Sequence, residues 1–338
     1  MSAGRTLVRI LGDPAAAADV RDWTALLAAA RAESLLGSLA FRLGGVEVPQ
    51  KVERVLAAAR TDSAQARAQA LWEAEMARRA LAPLGVPVVL LKGTAYAAAG
   101  LGPAQGRSIG DLDILVPRDA LAQVEQALLG AGWEWVKEDA YDDTYYRTWM
   151  HELPPLIHKE RDRMIDVHHT ILPLTARRRP DAEAMIADSV PLESGLRILA
   201  PEDMVAHAAA HLFADGDLAG GLRNLWDIDR MLRDFGADPA FWPRLRARAT
   251  RHQLLSPVRR AVRIANRLYG APIPPDWSKG GAADPLFRRR LLARDGWGRE
   301  TRKPLRLLFY VRSHWLRMPP LMLARHLWTK ARKGRAAA

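Results

Sequence analysis

The run Gly110-Asp111-Leu112-Asp113-Ile114-Leu115-Val116 alternates carboxylates with large apolar residues. In a β-strand successive side chains point to opposite faces, so Asp111 and Asp113 would project together while Leu112, Ile114 and Val116 enter a core. Two carboxylates fixed on one face repel each other unless a cation lies between them. A hard divalent ion such as Mg²⁺ takes one or two carboxylates together with substrate phosphate oxygens. Met164-Ile165-Asp166-Val167-His168 repeats the alternation, with Asp166 and His168 opposite to Ile165 and Val167. A neighbouring strand would bring Asp166 beside the first pair. Three carboxylates so placed suit phosphoryl chemistry, where metal ions neutralise charge and align the attacking and leaving oxygens. An Asp-x-Asp pair alone is common at solvated strand ends, so its context has to decide.

The elements that must position these residues are legible in outline. Residues 1–84 are rich in Ala, Leu and Arg, and apolar residues recur at helical spacing, as in Trp23, Leu26, Leu27 and Val52, Val55, Leu56. Pro83 and Gly85 end that region. Val86 to Leu91 is a β-branched run expected to form a buried strand ending at Lys92-Gly93-Thr94, with a short helix from Tyr96 to Ala99. Residues 111–116 are the second strand, and residues 119–129 an amphipathic helix with Gly130 at its C′ position. Strand-like pieces follow at Trp133–Val136, Leu156–His158 and Met164–His168; helices are expected at Pro201–Leu212, Leu222–Phe235, Trp242–Arg251 and Leu254–Leu268. The fold class is therefore α+β. A helical region (1–84) precedes a small α/β core (85–198), a helical domain (199–275) and a basic tail (276–338).

The segment Leu90-Leu91-Lys92-Gly93-Thr94, then Arg107 and Gly110-Asp111-Leu112-Asp113, resembles the uncharacterised bacterial nucleotidyltransferase family of the DNA polymerase β-like superfamily. The likeness continues in Ile165-Asp166-Val167-His168, Leu199-Ala200-Pro201-Glu202-Asp203, His207 to Leu212, Trp226-Asp227 and Arg317-Met318-Pro319-Pro320, over most of residues 25–333. The ordered set is far more specific than any one motif. The resemblance implies a polymerase β-like core and transfer of a nucleoside monophosphate from an NTP to an acceptor, with release of pyrophosphate. It implies Mg²⁺, for which Mn²⁺ can substitute, held by Asp111, Asp113 and Asp166. Gly93 and Thr94 would lie against the triphosphate; Lys92 and Arg107 would contact phosphate or acceptor, or else be ordinary surface charges. Thr94 stands where Ser is more usual, which keeps the hydroxyl. By association with polysaccharide and secondary-metabolite biosynthesis, the acceptor would be a sugar, lipid carrier, peptide or small molecule. The alternative is a nucleotide-binding regulatory module of a membrane-associated biosynthetic complex, without turnover.

Other residues were weighed for chemistry. His207 and His211 have the i, i+4 spacing of metal ligands, but Ala208 stands where a zincin needs Glu and no Cys exists to complete a zinc site. Packing, or contact with nucleotide or acceptor, is the expectation for His207. Asp227 on the following helix is the first choice for a base near the acceptor hydroxyl and His168 the second, against an ion pair on the helix surface. The aromatic stretch from Trp133 to Trp149, with Trp135, Tyr145 and Tyr146, could line an acceptor pocket; a strand and hairpin packing their own rings is the simpler expectation. Gly100 to Gly106 has the wrong spacing for a dinucleotide loop, and no phosphate-binding loop or kinase motif is present.

The chain has 338 residues and no cysteine, which excludes disulfides and thiolate metal sites and fits a reducing cytoplasm. The N-terminal residues lack a signal-peptide apolar run, and no segment approaches the roughly 20 apolar residues of a membrane span. Net charge is +12, yet residues 286–338 hold 12 Arg and 3 Lys against Asp295 and Glu300, a net of +13. The remainder carries 35 basic and 36 acidic side chains, so the body is neutral and nucleic acid is an unlikely partner. Residues 286–335 interleave cations with Leu307, Leu308 and Trp315; a helix folded back on the body with its arginines in solvent is the simpler expectation, and peripheral docking on an anionic membrane face the second.

Overall fold

The computed structural model describes residues 2–137 and 140–319, and Leu323; Pro320 and the rest of the basic tail beyond it lie outside. Seven short strands make one mixed sheet: β1 (Val89–Leu90), β2 (Leu112–Leu115), β3 (Trp133–Trp135), β4 (Leu156–His158), β5 (Met164–His168), β6 (Val190–Pro191) and β7 (Arg197–Ile198). Their order is β3-β4-β5-β2-β1-β7-β6. The central pair, β2 and β5, is parallel; β1 is antiparallel to β2 and parallel to β7. Helices surround the sheet, and the α+β expectation is borne out.

Alternation decides the central strands. Leu112, Ile114, Ile165 and Val167 are all buried, so β2 and β5 each present their aspartates to the opposite side. Helices begin and end where local chemistry requires. Asp22 accepts from the Ala25 amide at 2.9 Å and caps Trp23–Ala32. The 32-residue helix Gln50–Leu81 follows Pro49, and the chain leaves it through Gly85 at φ +64°, a left-handed conformation glycine adopts without strain. One hydrophobic core runs from Ala3 to Phe309.

Several boundaries differ from the sequence expectation. β1 is only two residues, because Lys92 turns left-handed (φ +49°) and opens the helix Lys92–Ala98. The helix therefore starts four residues earlier than expected and holds Gly93 and Thr94 in its first turn. Gly130 is the last residue of the helix Leu121–Gly130 rather than the residue beyond it; Gly132 takes the positive φ. The aromatic segment is no hairpin: after β3 the chain forms the helix Ala140–Trp149, in which Tyr145 makes edge-on contacts with Tyr146 and Trp149. The helix Pro201–Ala210 continues into a π-helical turn, His211–Asp215.

Candidate active site

The β2–β5 register pairs Asp113 directly with Asp166. In-register residues of adjacent parallel strands point to the same face, with backbones about 4.8 Å apart. The two aspartates therefore stand side by side although 53 positions separate their numbers in the chain. Asp111 precedes β2, is exposed, and lines a small crevice with Gln69, Glu73 and Arg163.

Asp113 is almost fully buried and two donors converge on its Oδ1. Leu91 donates its amide to the Asp113 carbonyl at 3.0 Å, which sets Lys92 next to the strand. From there the Lys92 Nζ reaches Oδ1 at 2.6 Å, and His168 Nε2 lies 3.1 Å from the same oxygen. Burial alone would raise the Asp113 pKa, but the His168 hydrogen bond and the Lys92 ammonium outweigh it and hold the carboxyl below the usual aspartate range. Lys92 answers in kind: burial opposes its charge, yet Asp113 raises its pKa above the ordinary lysine value. Asp166 has no such escort. Burial, then the Asp113 and Glu152 carboxylates, push its pKa up to about 6.

Glu152 was not expected here, nor was His151. The segment containing them runs antiparallel to the end of β5: Leu153 donates to the Val167 carbonyl at 2.9 Å, His169 donates to the His151 carbonyl at 2.9 Å, and Glu152 is bridged to His168. This places Glu152 Oε2 3.4 Å from His168 Nδ1 and 3.7 Å from His151 Nε2. Among the described residues, the set of three His or acidic donors that gathers within 4.8 Å is His151, Glu152 and His168, not the three aspartates. Nothing in the local sequence pattern marks this dipeptide, because its place depends on a pairing with β5. His207 is also buried, and its pKa is driven far down by burial and then by Lys92, His211 and His168, which makes it a neutral imidazole.

Gly93 and Thr94 lie at the end of β1. A Cβ on Gly93 would come within 2.6 Å of Arg107 Nε, so only glycine lets that guanidinium pass. Arg107 Nε and Thr94 Oγ1 are both buried without a hydrogen-bond partner. The other end of Arg107 is held: its Nη1 bonds Asp227 Oδ2, and the guanidinium lies 5.7 Å from the centre of the Tyr96 ring. Asp227 also accepts from Arg223 Nε at 3.0 Å, and Arg223 Nη1 bonds Ser38 Oγ at 2.7 Å. The ion pair expected of Asp227 is thus present, but buried rather than on a helix surface, and it ties the helix Gly221–Phe235 to Arg107.

A cavity of about 1020 Å³ lies apart from Asp111, Asp113 and Asp166. It opens at the carboxyl ends of β2 and β5, where Pro117, Arg118, His169, Thr170 and Arg178 form its walls. Ligands of open α/β sheets gather in the crevice outside the carboxyl ends of the strands. His169 directly follows His168, so the cavity adjoins the carboxylate cluster along the chain.

No helix among the described residues is long and apolar enough to cross a membrane. No curated protein matches the chain. A family model described as "Uncharacterised nucleotidyltransferase" matches residues 19–270, which include both central strands, the Lys92–Thr94 turn and Asp227, and the chain belongs to that family.

Proposed function

We propose that this protein transfers a nucleoside monophosphate from an NTP to an acceptor, with a divalent ion held by Asp111, Asp113 and Asp166. The observation that carries this reading is the register pairing of Asp113 with Asp166, one of them holding a lysine ammonium and the other raised to a pKa of about 6. Paired carboxylates under mutual repulsion suit a cation that neutralises both. Mg²⁺, or Mn²⁺ in its place, would draw charge from the phosphate oxygens. The reaction forms a bond from an acceptor oxygen to the α-phosphorus as the α–β phosphoanhydride breaks and pyrophosphate leaves.

The protein's own groups then take distinct roles. Gly93 and Thr94 approach the triphosphate, with Arg107 offering its unpartnered Nε to the same anion. Asp227 is engaged by two guanidiniums and acts by fixing Arg107 rather than by taking a proton. With a divalent ion held by Asp113, Lys92 would be free to contact phosphate instead. His168 steadies Asp113, and His207 is the imidazole left to meet the acceptor. The acceptor, a sugar, lipid carrier, peptide or small molecule, enters through the cavity at the carboxyl ends of β2 and β5, whose lining mixes Arg118, Arg178 and Arg179 with Asp119, Asp181 and Glu183. An NTP substrate fits action in the cytoplasm.

One observation favours contact with a membrane face. On the helix Lys303–Arg317, Leu307 is 62% exposed, Leu308 52% and Trp315 45%, among the cations of a segment with net charge +13. Flotation with anionic vesicles tests it: a chain that stays at the bottom of the gradient refutes peripheral docking.

Transfer itself is tested with labelled NTPs, Mg²⁺ and a panel of acceptors. Label should reach an acceptor with the native chain and not with Asp113→Asn. Equal labelling by that variant would sink the proposed site.

A further inference from the structure

His151, Glu152 and His168 lie next to the aspartates but form a different kind of donor set, two imidazoles and one carboxylate. His168 Nε2 lies 3.1 Å from the Asp113 carboxylate oxygen Oδ1, a contact made by the neutral imidazole with its hydrogen on Nε2. The ring nitrogen left over, Nδ1, points at the Glu152 carboxylate, with 3.4 Å between Nδ1 and Oε2. A lone pair facing a carboxylate oxygen is repulsive unless a cation lies between them. A shared proton would draw the two to about 2.7–2.9 Å, the length of a charged hydrogen bond. The observed spacing is longer. It matches the edge of a tetrahedron around a metal ion: bonds of about 2.0–2.1 Å place neighbouring ligand atoms roughly 3.3–3.4 Å apart. His151 Nε2 lies 3.7 Å from the same Oε2, outside hydrogen-bond range but within a few tenths of an ångström of that edge.

Two further features fit a metal better than a hydrogen-bond cluster. The His151 Nδ1 is buried without a hydrogen-bond partner. A ligating histidine also characteristically donates its second ring N–H to a carboxylate, which orients the ring and raises its basicity. His168 does this toward Asp113.

We infer that His151, Glu152 and His168 form a binding site for a divalent transition-metal ion of the Zn²⁺, Fe²⁺ or Co²⁺ class, distinct from the aspartate site. Imidazole nitrogen selects these ions over Mg²⁺ and Ca²⁺, which prefer oxygen. The site does not rest on nucleotidyl transfer and would fill without nucleotide.

Co²⁺ is the probe, because its visible absorption reports coordination number and its bound histidines show hyperfine-shifted N–H proton resonances. The full-length metal-free chain should bind one Co²⁺ in the presence of excess Mg²⁺ and no NTP, with two shifted imidazole N–H signals. His151→Ala and Glu152→Gln, each checked for native circular dichroism, should weaken Co²⁺ binding at least tenfold, while Asp111→Asn should leave it unchanged. Co²⁺ that shows no shifted imidazole signals, or that is lost with Asp111→Asn and kept with Glu152→Gln, overturns this site while supporting the aspartate site. Absence of any Co²⁺ binding by the folded chain also overturns it, and leaves the aspartate site to its own Mg²⁺ test.

Discussion

Lys92 Nζ sits 2.6 Å from Asp113 Oδ1, on an oxygen that His168 also engages, and the lysine reaches it from a left-handed backbone conformation. A non-glycine residue in that region costs of order 1 kcal/mol or more, and it persists where the surroundings enforce it. Here the first residue of the turn proposed to meet phosphate is bent back onto the carboxylate that the proposed ion needs. Ion and lysine then compete for the same charge. Lys92→Met should tighten Mg²⁺ or Mn²⁺ binding in the absence of nucleotide, by roughly tenfold if the lysine bond has the usual strength of a charged hydrogen bond. The same change should weaken NTP binding, since the ammonium is then missing from the phosphate. Calorimetric titrations of metal alone and of NTP in saturating metal check both signs. Looser metal binding in the variant would refute the competition.

Asp166 makes stability depend on pH. Its pKa rises in the fold to about 6, from an unfolded value of roughly 4. The folded state thus holds this proton more tightly than the unfolded chain. The stabilisation is complete below pH of about 4 and is lost as pH climbs through 6, a loss on the order of 2–3 kcal/mol. Asp166→Asn cannot ionise and escapes the loss. Thermal melts of native and variant should coincide near pH 4 and separate toward pH 7, with the variant more stable. Saturating Mg²⁺ should close the gap by stabilising only the native chain. Parallel curves across this range would refute the repulsion.

The strands that carry the aspartates were legible because residue type alternates there: Leu112 and Ile114, and Ile165 and Val167, each flank an aspartate of the site, although Asp113 is itself buried. The helix Ala140–Trp149 was not, because Tyr and Trp favour strands by local propensity and only tertiary packing wins them for a helix. His151 and Glu152 escaped for a deeper reason. Their position is set by the backbone bonds Leu153 to Val167 and His169 to His151, and no local pattern encodes which strand end a passing segment will join. Asp227 was half legible: Arg223 stands one helical turn before it, but Arg107 is 120 residues away.

Gly93 offers a test of close approach. A methyl group there would lie 2.6 Å from Arg107 Nε and 3.2 Å from Ile109 Cγ1. Gly93→Ala should push Arg107 off Asp227 and destabilise the protein by about 1–3 kcal/mol, the usual cost of overpacking. NTP affinity should fall more than metal affinity, because Arg107 faces phosphate in the proposed arrangement and its bonded carboxylate is Asp227, not one of the three proposed metal ligands. Denaturant unfolding with paired NTP and Mn²⁺ titrations checks this. A variant with unchanged stability and NTP affinity would show that the turn has room to spare.

Asp227 separates a positioning role from a proton-transfer role. Its carboxylate is buried between Arg107 and Arg223, and the helix carrying it is anchored through Ser38 as well. Removing one partner of a buried ion pair leaves uncompensated charge and costs about 3–5 kcal/mol. Asp227→Ala should therefore unfold at markedly lower denaturant, with Asp227→Asn intermediate because it keeps an acceptor oxygen. Whatever transfer activity is proposed for the native chain, Asp227→Asn should show weaker NTP binding and a pH profile of unchanged shape. A base would behave otherwise: stability and NTP binding would hold, the turnover rate would collapse, and the acidic limb of the pH profile would disappear. Unfolding curves and pH–rate profiles of the asparagine variant, taken together, distinguish the two, because a guanidinium clamp and a proton acceptor fail in different measurements.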